Sequence, residues 1–186
     1  MKPAVLALIA PLALLAACSP PAEPQNTVAA APAGPAPLPA DFPAKPGQPG
    51  GLALDQVAGP PPAVIDPKSA QGAADAVRRY FAAIEAKDYA GAQVLVGPKV
   101  DLKVFERRLS SYPICRANVG KPGQMQGAAG SSYVEVPIQT YGRMQSGELF
   151  SRLETVQLKR VNDVPGAAPE QLIWRIQQIV VAQPAP

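Results

Sequence analysis

From Ser69 to Asp88 apolar side chains recur every three or four positions. Ala73, Val77, Tyr80, Phe81 and Ile84 share one face of a helix, and Arg78, Arg79, Glu85 and Lys87 mostly occupy the other. Ser69 is placed to cap this helix, and the Tyr80–Phe81 pair reads as core rather than as a ligand stack. A second, shorter helix is predicted in DYAGAQVLVG, where Tyr89, Ala92, Val94 and Leu95 are its apolar positions and Gly97-Pro98 its stop. A third is predicted in DLKVFERRLSSYP. It turns Leu102, Phe105 and Leu109 inward, with Asp101 at its start and Arg107 and Arg108 at its end, where the helix dipole favours each charge.

Beyond Tyr112 the period changes to two. A weak first strand falls within ICRANVGKPGQMQ. SYVEVPIQTY then alternates, with Val134, Val136, Ile138 and Thr140 on one face and Glu135 turned to water. Pro137 lacks a donor, which predicts an edge or bulged strand. ELFSRLETVQLKRV is a long strand whose alternation slips between Leu153 and Val156, as a bulge would make it do. NDVPGAAPE is a turn-rich connection. QLIWRIQQIVVA is the last strand, with Leu172, Trp174 and Ile176 on one face. Three helices followed by three or four antiparallel strands make an α+β domain over residues 68–182, long enough for one core, with 183–186 as a disordered tail.

Upstream of Lys68 neither period is present. The chain has 24 prolines, most of them here. Residues 18–67 read as a disordered Pro/Ala-rich linker in polyproline II or coil, able to span about 150 Å if fully extended. Leu52, Leu54 and Val57 in GLALDQVAG interrupt the pattern; they add a short strand, dock on the domain or form a mildly apolar linker patch, and the linker patch is the preferred reading. Residues 1–17 have the form of a signal peptide, Lys2 followed by an apolar run too short to cross a bilayer. That run ends in Leu15-Ala16-Ala17-Cys18, which resembles a bacterial lipobox. The resemblance implies cleavage before Cys18, acylation of that cysteine (palmitate among the chains), and a membrane anchor through more than one acyl chain. Ser19, where aspartate would favour the inner membrane, implies an outer-membrane protein facing the periplasm.

Charge and composition mainly exclude. The net charge is +3, with +5 from Lys68 onward, −3 over residues 19–67 and +1 from Lys2. Basic residues do not interleave with aromatics, so no nucleic-acid partner is expected. The chain has no histidine, which removes Ser-His-Asp and Cys-His catalysis and His-bound zinc. Two cysteines, Cys18 and Cys115, cannot build a four-cysteine zinc site. Arg116 beside Cys115 could lower its pKa, but with no base at hand Cys115 reads as a small buried apolar side chain, with an intermolecular disulfide as the minor reading. No cofactor or metal motif is present.

Ala74, Val77, Tyr80, Ala83, Ile84, Lys87, Asp88, Tyr89 and Ala92, with Trp174 and Ile176 near the end, resemble the NTF2-like (cystatin-like cone) superfamily over residues 68–182. The resemblance implies a curved sheet wrapped around the first helix to form a cone. Its members include enzymes, ligand carriers and catalytically silent assembly modules, so the fold does not choose a function. No catalytic set is expected. Asp75, Asp88, Asp101, Glu106 and Glu170 suit helix caps or solvent. Glu154, at the suspected bulge, is the one acid whose facing is open, and exposure or ion pairing is its preferred reading. Residues expected to line a cone interior are Tyr80, Phe81, Leu153, Glu154, Gln157 and Trp174. The leading expectation is a non-enzymatic, lipid-anchored envelope module that pairs with itself or with another envelope protein through the outer sheet face. The alternative is a small-ligand binder or minor enzyme using the cone.

Overall fold

The computed structural model describes residues 34–97 and 100–181. The signal peptide, Leu15–Cys18 and the tail 183–186 lie outside the described residues. Helix α1, Ala70–Glu85, starts where the Ser69 side chain accepts a hydrogen bond from the Gly72 amide at 3.1 Å. It ends where Lys87 takes a left-handed backbone (φ 61°), so that the amides of Lys87 and Asp88 return to the carbonyls of Ile84 and Ala83. Asp88 then caps α2, Tyr89–Val96, and Asp101 caps α3, Leu102–Ser110.

Five antiparallel strands follow: β1 Ile114–Val119, β2 Gln126–Ala128, β3 Ser131–Arg143, β4 Leu149–Val161 and β5 Arg175–Val181. Their order is β1-β3-β4-β5, with β2 also paired to β3. Helix α1 lies against β1 and β3, and α2 against α1 and β5. The architecture is α+β, three helices packed on one face of an antiparallel sheet. Ala73, Val77, Tyr80, Phe81 and Ile84 meet Val134, Val136, Ile138, Val156 and Leu158 in its core. Burying such side chains is the main stabilising term, about 1.5–3 kcal/mol for each large one.

Several expectations are corrected. Pro137 sits in the central strand β3, not at an edge. Its carbonyl accepts from Gly120 N just past the end of β1. In a strand a residue's N and C=O point to the same side, so the missing donor faces the interval between β1 and β2 rather than β4. The long strand β4 carries no bulge between Leu153 and Val156, because its register with β3 is unbroken from Leu149 to Val161. The irregularity lies in its pairing with β5, where Gln157 and Leu158 meet Gln178 and Ile176, leaving Gln177 extra. The last strand begins only at Arg175, after a 3-10 turn at Pro169–Gln171, so Leu172 and Trp174 precede it.

The largest departure concerns the linker. Residues from Ala36 to Gln56 lie on the sheet face opposite the helices. Gln139 is fully buried there, and its Nε2 donates to the carbonyls of Ala44 (3.0 Å) and Gly50 (2.9 Å) while its Oε1 accepts from Asn118 Nδ2. Arg143 donates to the carbonyls of Ala36 and Pro37, Lys121 N to that of Gln56, and Phe42 meets the Tyr141 ring edge-on. Leu52 is 4% exposed, the docking alternative for GLALDQVAG, although Leu54 remains exposed. Proline-rich backbone has few donors to build a strand, but it keeps every carbonyl. The side-chain donors of β3 collect those carbonyls, and the segment forms a strap.

Candidate functional site

A cavity of about 360 Å³ lies between the helices and the sheet. Helix α1 supplies Tyr80, Phe81 and Ile84, and α3 supplies Phe105, Arg108 and Leu109. The aromatic rings brace one another: Tyr80 meets Phe81 edge-on at 5.0 Å and lies tilted against Phe105 at 6.3 Å. The sheet supplies the polar wall, with Cys115 from β1, Thr140 from β3, and Arg152 and Glu154 from β4. Thr140 Oγ1 donates to Glu154 Oε2 at 2.6 Å, which fixes the carboxylate on the cavity side.

Of the residues expected to line the cone, Tyr80, Phe81 and Glu154 line this cavity. Leu153 and Gln157 do not. Strict alternation along β4 puts both on the opposite face, where Leu153 pairs across from Gln139 and Gln157 donates to Glu135 at 3.0 Å. Trp174 is 3% exposed and belongs to the packed core. Arg108, Cys115, Thr140 and Arg152 were not expected there. The signal for Arg152 is in the sequence: once Val156 is placed inward, Glu154 and then Arg152 follow at steps of two. The supposed bulge concealed it.

Burial pushes the Tyr80 hydroxyl up to about 12 and the Cys115 thiol up to about 11. The expected lowering of Cys115 by Arg116 does not occur, because Arg116 turns away to pair with Glu85 at 2.6 Å. Lys87 and Arg152 act on the thiol in the lowering sense, but burial outweighs them. At neutral pH both groups keep their protons and serve as hydrogen-bond donors. The site therefore offers two neutral donors, one carboxylate and two guanidiniums over an aromatic floor, an arrangement suited to holding a molecule by shape and charge. Among the described residues no group of three or more Cys, Asp or Glu converges as a metal site would require.

The thiol gives a direct check. With a pKa of about 11, roughly one Cys115 in a thousand is ionised at pH 8. Iodoacetamide labelling mapped to Cys115 is expected to be at least about 100-fold slower in the native protein than in denaturant at that pH. Equal rates would show an accessible thiol of ordinary acidity.

No protein-family model matches the chain, and no curated protein matches it in sequence. Two solved structures are similar in backbone. One is an NTF2-like superfamily protein from Salmonella enterica serovar Typhimurium, at 12% identity and a TM-score of 0.46, covering 63% of this chain and 92% of the other. The second, from Streptomyces avermitilis, is an NTF2-like family protein with a provisional dehydratase assignment, at 11% identity and a TM-score of 0.40, covering 56% of this chain and 89% of the other. The chain is similar to these NTF2-like proteins in the arrangement of its helices and sheet, and to neither in sequence.

Proposed function

We propose that this chain is a lipid-anchored protein of the bacterial envelope whose α+β domain binds a small molecule between its helices and its sheet, without catalysing a reaction. The carrying observation is the cavity itself, which stays open beside Tyr80 and Phe81 and has Glu154, Thr140, Arg108 and Arg152 in its wall. The strap argues the same way. It occupies the outer sheet face at Gln139 and Arg143, part of the surface that self-pairing would have used. The absence of histidine supports a binder over an enzyme.

In this reading Cys18 is the anchor, Leu15, Ala16 and Ala17 complete the lipobox, and the protein sits at the outer membrane facing the periplasm. Because the strap starts at Ala36, the spacer is residues 19–35, at most roughly 55 Å if extended as polyproline II. Cys18→Ser is expected to move the protein from the membrane fraction to the soluble fraction, checked by ultracentrifugation of lysed cells. An unchanged membrane fraction would remove the anchor from the proposal.

A second reading, an assembly module that pairs with another protein or with its own copy, has one observation in its favour. Strand β5 has a neighbour on one side only among the described residues, and Ile179, Val180 and Val181 are 37%, 43% and 63% exposed. A free apolar edge can accept a partner strand. A stoichiometric protein adduct with an empty cavity would favour it.

A further inference from the structure

Resting on the reading of the cavity as a ligand site, we propose that its ligand is a single-chain amphiphile with an anionic head, the chain lying on the aromatic wall and the head held by Arg108 and Arg152. Both arginines line the cavity, Arg108 from the last turn of α3 and Arg152 from β4. Among the described residues neither guanidinium has a carboxylate within ion-pair distance, whereas Arg79, Arg116 and Arg160 each have one. Arg152 rests over the Phe150 ring, 5.4 Å from its centroid, so its charge sits directly beside apolar surface.

The charges select the head. Glu154 is the one carboxylate in the wall, and Thr140 already donates to it. Two guanidiniums against one carboxylate leave the site positive, which attracts an anion and repels a cation. Guanidinium forks match the geometry of a carboxylate or phosphate. The opposite wall is mostly apolar, with Phe81, Ile84 and Phe105 beside the Tyr80 ring, and the Tyr80 hydroxyl is its one polar group among these four. A volume of about 360 Å³ holds about twelve methylene-sized groups, taking each as roughly the 30 Å³ share of a water molecule.

The test titrates decanoate, decanol and decyltrimethylammonium, each below its aggregation concentration, into the full chain by calorimetry. Decanoate is expected to bind one site at least about tenfold tighter than decanol, to weaken as salt rises, and the ammonium to bind weakest. The double variant Arg108→Gln with Arg152→Gln is expected to lose the tenfold preference while still binding decanol, which also reports that the variant is folded. Equal affinity for decanoate and decanol, with no salt dependence in the wild type, would overturn the anionic head and leave the cavity reading standing. Failure of every alkyl probe to bind would overturn both.

Discussion

Gln139→Ala is expected to lower stability by about 3 kcal/mol and to release the strap. The amide is fully buried and ties β3 to two other segments, to the strap through Ala44 and Gly50 and to β1 through Asn118. Alanine removes the two donors the strap carbonyls depend on and leaves Asn118 without its acceptor. Denaturant unfolding reads the stability. Limited proteolysis reads the strap, with cleavage between Ala36 and Gln56 expected in the variant and not in the wild type. A variant as stable and as protected as the wild type would mean that the strap is held by something other than Gln139.

Arg160→Ala is expected to cost about 3 kcal/mol by a different route. Arg160 is 6% exposed, donates from Nε to the Leu172 carbonyl at 2.8 Å and pairs through its other arm with Asp163. Asp163 also pairs with Lys68, just ahead of α1. One guanidinium thus fixes the connection between β4 and β5 and ties it to the start of the first helix. Its partner gives the effect a pH signature. The hydrogen bond from Lys68, then that from Arg160, holds the Asp163 carboxyl below the usual carboxylate range. A carboxyl whose pKa is lowered by folding supports the fold fully above its unfolded value. That support is lost as pH falls through the lower folded value. The gap between wild type and Arg160→Ala, measured by thermal melting, is therefore expected to narrow below about pH 4. A gap constant down to pH 2 would show that Asp163 takes no part in it.

The helices were legible because their signals are local. Ser69, Asp88 and Asp101 cap within three residues, and the apolar face of α1 repeats cleanly enough to give Ala73, Val77, Tyr80, Phe81 and Ile84 as core. The strap was not legible, because what holds it is distant in sequence: Gln139 is 95 positions from Ala44 and Arg143 is 107 from Ala36. Composition reports that a proline-rich segment cannot build its own ladder. It does not report that another strand's side chains will take up its carbonyls. Leu153 reads as an inward apolar residue, but it sits half-buried on the outward face, across from Gln139. Placing it inward created a false bulge, moved Gln157 into the cavity, and hid Arg152. Pro137 misled for a related reason, since what a missing donor costs depends on which neighbour it faces. Cys115 turned on a competition that spacing cannot decide, and burial outweighed the nearby cations.

The central claim is that the space between helices and sheet holds a small molecule. A native mass spectrum of the full chain, purified from the envelope of the cells that make it, tests this most directly. The account predicts a monomer carrying additional small-molecule mass that disappears on denaturation. A bare chain, or one whose only added mass is a second copy or another protein, would contradict it.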